Sequence, residues 1–316
     1  MGESLRLVIG GPAVAYAFGF GVLCLVLQVF LRYRTYVRYL KWLTLVLLCY
    51  VAVAFTVHVG WSELLRGALL PELRMDRALL TMIVAVLGTT ISPYLFFWQA
   101  AGEVEEAQRR VADGPAGDAR NAQRQLARLN WDTIAGMGFS NLVAFFVMLS
   151  TAATLHAAGV NDIQSAAQAA EALRPVGGEL TFLLFSIGII GTGLLAVPVL
   201  AGSAAYAVAE CFGWPEGLDL TLLRAKGFYG IIALATLGGL GLVFTQVNPM
   251  HLLLWSAVFN GVVAVPMMVV LMRLSARREL MGVYTAGRGL RWLGWSATAV
   301  MAAAAVAMLA ATAQLY

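Results

Sequence analysis

The stretch Leu87-Gly88-Thr89-Thr90-Ile91-Ser92-Pro93-Tyr94 sets a glycine, three hydroxyls and a proline inside an apolar run from Ala78 to Ala101. Hydrocarbon offers no water to a freed backbone group, so such an interruption has consequences. Proline lacks an N–H and clashes with the preceding turn, which predicts a helix that kinks or unwinds around Ile91 and Ser92. Two chemistries follow. The released carbonyls and the hydroxyl oxygens are hard donors that can hold a cation. Alternatively, the hydroxyls bond back to their own helix. A second polar group at bilayer depth is Asn260, beside Gly261 and ahead of Pro266. Its amide either lines a cavity or bonds across to a neighbouring helix.

Other interruptions point to packing. Gly188–Gly193 and Pro198 weaken a long run, but small residues there suit helix contact, and Gln28 and Asn141 are single polar groups with the same default reading. Glu103, Glu105 and Glu106 follow the interrupted run directly. They are either a guide for cations at the inner mouth or a solvated face, and a charge run at a helix end is more often the latter.

The elements that position these residues are membrane helices. The chain has 316 residues, 60% hydrophobic and 12% charged, with a mean hydropathy of +0.80. That composition excludes a soluble domain and predicts an all-α, polytopic membrane helical bundle. Apolar runs predict eight spans: Gly11–Leu31, Tyr39–Gly60, Ala78–Ala101, Thr133–Ala157, Glu179–Cys211, Phe228–Val247, Met250–Leu274 and Leu290–Ala313. The fifth is long enough to tilt strongly or extend past the bilayer. Residues 102–132 form the longest loop, with Gly114-Pro115-Ala116-Gly117 between two charged, alanine-rich flanks that read as short helices outside the membrane. The polar segment Gly159–Gly178 suggests no fold of its own.

Between the first two spans lie Arg32, Arg34, Arg38 and Lys41 without an acid, which the positive-inside rule assigns to the cytoplasm. By alternation, 16 of the 21 Lys and Arg residues fall on that side, and both termini face outside. An external N-terminus with so short a lead asks for a further, odd number of spans ahead of it, and no signal peptide is legible.

Soluble-enzyme constellations and glycine-rich phosphate loops are missing from the sequence, so neither an enzyme nor a cofactor is expected, and no nucleic-acid partner. Cys24, Cys49 and Cys211 lack paired or metal-ligand spacing and read as small buried side chains. His58, His156 and His251 fall near external span ends; an outer metal-recruitment role competes with plain interfacial placement.

Gln28–Tyr36 (QVFLRYRTY), Gly88–Tyr94 (GTTISPY) with Gln99, and Glu103–Glu106 (EVEE) resemble the Nramp (natural resistance-associated macrophage protein) divalent-metal transporters, closest to divergent bacterial members and in register over nearly the whole chain. The resemblance implies one transmembrane domain over 1–316 with a LeuT-like inverted-repeat fold. Residues 11–60 would be the last two spans of an incomplete first repeat, 78–274 a complete second repeat, and 290–313 an extra span. Three N-terminal family spans lack a counterpart, including the Asp-Pro-Gly-Asn motif that binds metal. The family's Ala-x-x-Met-Pro-His motif falls on Thr89–Tyr94. Thr89 then offers its carbonyl, Ser92 stands at the methionine that ligates metal, and Tyr94 at the histidine.

A hydroxyl in place of a thioether trades a soft ligand for a hard one and weakens discrimination against Mg²⁺. A phenol in place of an imidazole removes the side chain whose charge changes near neutral pH. The resemblance thus implies a multi-pass inner-membrane secondary transporter of divalent metal cations working by alternating access. Metal ligands would be Thr89 and Ser92, with Thr90, Pro93, Tyr94 and Asn260 along the pathway. This chain alone is expected to be transport-incompetent, an idea that saturable Mn²⁺ or Mg²⁺ uptake into liposomes would overturn. The alternatives are a LeuT-fold transporter of another small solute, such as an amino acid, and a non-transporting membrane subunit or remnant. The oligomeric state is not legible.

Overall fold

The computed structural model describes residues 1–30, 33–56, 77–112, 119–153, 163, 165–218, 220–245 and 247–313. Among these residues every regular element is a helix. In chain order they are α1 (Gly2–Ile9), α2 (Ala13–Phe30), α3 (Tyr33–Thr44), α4 (Leu48–Thr56), α5 (Arg77–Thr90), α6 (Pro93–Ala112), α7 (Ala119–Thr151), α8 (Ala166–Phe212), α9 (Lys226–Gly241), α10 (Pro249–Ser275), α11 (Arg278–Met281) and α12 (Arg288–Ala313). Eight stretches are long and apolar enough to cross a membrane, from Ala13–Phe30 to Arg288–Thr312, and they coincide with the eight expected spans to within a few residues at most ends. The protein is an all-α, multi-pass membrane protein. Many of its large apolar side chains lie outward, Phe30, Phe55 and Phe259 among them, as a hydrocarbon surround permits.

Four local expectations need correction. The flanks Glu103–Ala112 and 119–129 are not separate short helices: α6 and α7 run through them without interruption. Gly114–Gly117 lie outside the described residues, as do His58 and His156. Within Gly159–Gly178, residues 166–177 are helical, started by Ser165, whose hydroxyl accepts from the Gln168 amide at 3.1 Å. Gly178, at φ 78°, then interrupts α8 where its membrane stretch begins; only glycine tolerates that φ cheaply. Cys211 is exposed, unlike the buried Cys24. Finally, α1 is a helix that apolar-run counting does not reveal. It leans on α2 and α8, with Met1 against Gly193.

The helices divide into two compact units. In the first (1–65 and 97–248) α8 is the central strut, packed by α1, α3, α4 and α9. Its small residues admit neighbours: Tyr50 of α4 lies over Gly188 and Val46 over Gly191. Tyr50 also meets Phe185 edge-on at 5.4 Å and shares a 3.3 Å hydrogen bond with Thr192. The packing role read for Gly188–Gly193 is therefore what the structure displays. Gln28 is 1% exposed and donates to the Pro198 carbonyl at 2.6 Å. Asn141, in contrast, is exposed. The second unit (66–96 and 249–316) is built from α5, α10 and α12.

Candidate functional site

The apolar run breaks where proline chemistry says it should. Helix α5 stops at Thr90, Ile91 and Ser92 are non-helical, and α6 starts at Pro93. Pro93 has no amide to offer the Thr89 carbonyl, and the residue before a proline is pushed out of the α region. Neither Pro198 in α8 nor Pro266 in α10 ends its helix. What Pro93 adds is a preceding Ser92 whose side chain replaces the lost donor.

Ser92 is 2% exposed. Its hydroxyl donates toward the Gly88 carbonyl at 2.9 Å and the Thr89 carbonyl at 3.0 Å. The Thr89 and Thr90 hydroxyls donate to the Val86 carbonyl at 2.8 and 3.0 Å. The Ile91 amide still reaches Leu87, and the Leu95 amide caps the Ser92 carbonyl at 3.1 Å. All three hydroxyls thus bond back to the helix. One hydroxyl carries a single proton, so Ser92 serves two carbonyls by sharing or alternating. The Thr90 and Ile91 carbonyls accept no hydrogen bond among the described residues. The two expected ligands, Thr89 through its carbonyl and Ser92 through its hydroxyl, are in direct contact. Pro93 is buried, Tyr94 half-buried, and Thr89 and Thr90 are exposed.

A glycine contact fixes where the helix that carries the second polar group crosses α5. A Cβ on Gly88 would strike the Ala257 carbonyl oxygen and lie 2.5 Å from the Gly261 nitrogen, and one on Gly261 would lie 2.7 Å from the Val84 carbonyl oxygen. Helices α5 and α10 therefore meet backbone to backbone, which only glycine permits. Asn260 adjoins this crossing on α10 and Thr89 adjoins it on α5. Asn260 is half-buried, and its amide has no hydrogen-bond partner among the described residues. Of its two sequence readings, a bond across to a neighbouring helix is not made.

The donors gathered here are neutral oxygens. No group of three or more His, Cys, Asp or Glu side chains able to hold a metal ion occurs among the described residues, and His251 is exposed. Hard oxygen donors match hard divalent cations.

The acidic run at the far end of the interrupted span is only partly a solvated face. Glu103 is exposed, and Glu106 pairs with Arg128 at 3.4 Å near the surface. Glu105 is held: its Oε1 accepts from the Tyr206 hydroxyl at 2.6 Å and from the Leu218 amide at 3.2 Å. Gly217, at φ 131°, makes room, since a Cβ there would lie 2.8 Å from that oxygen. This clasp fixes the turn after α8, and sequence reasoning missed it because Tyr206 lies 101 positions away. Nearby, burial raises the Glu216 carboxyl above its ordinary value, with the Glu210 and Glu105 charges adding to the shift.

A family model described as natural resistance-associated macrophage protein-like matches residues 1–311. Among similar curated proteins, the divalent metal cation transporter MntH of Granulibacter bethesdensis is 25% identical over 256 residues, 80% of this chain and 53% of that protein. The protein of the same name from Acidiphilium cryptum is 28% identical over 239 residues, 74% of this chain and 50% of that one. The one from Deinococcus radiodurans is 26% identical over 217 residues, 68% and 45% respectively. The chain spans about half the length of the curated relatives it matches.

Proposed function

The chain belongs to the Nramp family, and we propose that it serves divalent metal cation transport, as its relatives' names describe, and that it does so across a cell's inner membrane. The observation that carries this reading is the helix break at Ile91–Ser92, with Thr89 and Ser92 touching at it. In this proposal the cation displaces the Ser92 proton from the Thr89 carbonyl. The hydroxyl rotates, and its oxygen and the Thr89 carbonyl both turn to the ion. The hydrogen bonds given up are worth about 1 kcal/mol each, small beside the coordination of a dication. While no ion is bound, the same bonds keep the freed carbonyls satisfied. Asn260, Thr90 and Tyr94 line the approach, and Pro93 keeps the helix open.

Neutral oxygens alone leave a double charge uncompensated at bilayer depth, where charge is costly. An anionic group must therefore complete the site, and the chain's own affinity should be weak, roughly millimolar. Serine favours Mg²⁺, Mn²⁺ and Ca²⁺ over softer ions. Alternating access would then open the break to either side in turn.

Calorimetric titration of the purified chain in nanodiscs tests the reading. Mn²⁺ and Mg²⁺ should bind with similar constants, and Ser92→Ala should abolish both signals without unfolding the protein. Binding unaffected by Ser92→Ala, or an amino acid binding in place of either metal, would refute it.

A further inference from the structure

We propose that the N-terminal end of α12 holds the headgroup of an anionic phospholipid. A cleft of about 670 Å³ opens there, lined by Arg288, Arg291, Trp292, Trp295 and Ser296. That volume lies in the range of ligand clefts, roughly 300–1,000 Å³. The first four residues recur at i, i+3, i+4 and i+7, so they form one stripe on one face of the helix. Along that stripe the two arginines come first and the two tryptophans follow about 6 Å deeper, at 1.5 Å of rise per residue. Phospholipids present the same order, phosphate outermost and glycerol ester region beneath.

The chemistry of each layer fits. Neither Arg288 nor Arg291 has a carboxylate partner among the described residues. Between Arg273 and Arg291 the single acid is Glu279, against five arginines. An arginine's planar fork grips phosphate oxygens bidentately. Ser296 already donates its proton to the Leu293 carbonyl at 2.8 Å, so the arginines are the donors an anion would meet. Trp292 is 78% and Trp295 40% exposed, large amphipathic rings that suit the headgroup level of a bilayer. Helix α12 is one of the eight apolar spans, which puts its first turns at the membrane boundary. Gly294 lies against Met272, so the last turn of α10, with Arg273, closes the same end of the unit. The arginine count assigns this end to the cytoplasmic leaflet, where anionic lipids collect.

The test is thermal unfolding of the purified, detergent-solubilised chain with added phosphatidylglycerol, phosphatidylcholine or sodium phosphate, read alongside native mass spectrometry of retained lipid. Phosphatidylglycerol should stabilise and remain bound, while phosphatidylcholine and free phosphate should do neither. The double variant Arg288→Gln/Arg291→Gln should bind phosphatidylglycerol on the order of 30-fold more weakly. Arg288→Lys/Arg291→Lys should fall between, because the charge survives and the fork does not. Arg277→Gln/Arg278→Gln removes equal charge outside the cleft and should change binding by less than threefold. Equal losses in the two glutamine pairs would overturn the proposal in favour of diffuse attraction. Equal protection by phosphate or by phosphatidylcholine would overturn it too. Circular dichroism of each variant separates lost binding from lost fold.

Discussion

Gly88→Ala discriminates sharply, because two effects of known size oppose each other. In an exposed helix the change removes a flexible glycine and stabilises by up to about 1 kcal/mol. At Gly88 the added methyl would strike the Ala257 carbonyl oxygen, lie 2.5 Å from the Gly261 nitrogen and 2.8 Å from its Cα, where ordinary contact begins at 3.4 Å. Those are backbone atoms, so no rotamer change relieves the clash. Helices α5 and α10 must part by roughly 1 Å, and overpacking of this kind costs about 1–3 kcal/mol. The upper end applies, since the neighbours cannot yield, and the net expectation is a destabilisation of about 2 kcal/mol. Gly19→Ala is the control: nothing lies within 4 Å of a Cβ there, and it should be neutral or slightly stabilising. Thermal or denaturant unfolding in one detergent measures both. Mn²⁺ titration of the same samples should show Gly88→Ala binding more weakly, because Thr89 is the next residue. A Gly88→Ala protein as stable as the Gly19→Ala protein would refute the close crossing of α5 and α10.

Further outcomes follow from single contacts. Ser92→Ala should cost about 1 kcal/mol in stability, the worth of one shared hydrogen bond, while Ser92→Met should shift the Mn²⁺-to-Mg²⁺ affinity ratio toward Mn²⁺ by tenfold or more through its thioether; calorimetry reads the ratio. The raised Glu216 carboxyl means the folded chain holds a proton that the unfolded chain releases, so stability from this group declines as pH rises from the ordinary carboxyl value through the raised one. Glu216→Gln should therefore raise the unfolding midpoint at neutral pH, with the gain shrinking as acid is added, and a midpoint-against-pH series checks it. Gln28→Leu, which deletes the 2.6 Å bond to Pro198, should destabilise by about 1 kcal/mol, an effect visible in the same unfolding assay.

Much of the architecture is written locally. Eight apolar runs suffice to count the spans, since a bilayer imposes length and apolarity on each helix regardless of its neighbours. The break at Ile91–Ser92 is local as well: Pro93 removes a donor from a bond that closes over four residues, so the sequence window that contains the proline contains the effect. The family likeness of Gly88–Tyr94 rests on the same short window. What a window cannot contain is the partner. That the Ser92 hydroxyl bonds back rather than outward, that Gly88 meets Gly261 where α5 and α10 cross, and that Glu105 is clasped by Tyr206 and Leu218 were decided by packing. The last two join residues more than 100 positions apart. A polar group's role depends on which donor or acceptor lies within about 3 Å of it, and over that separation only the folded helices fix the distance.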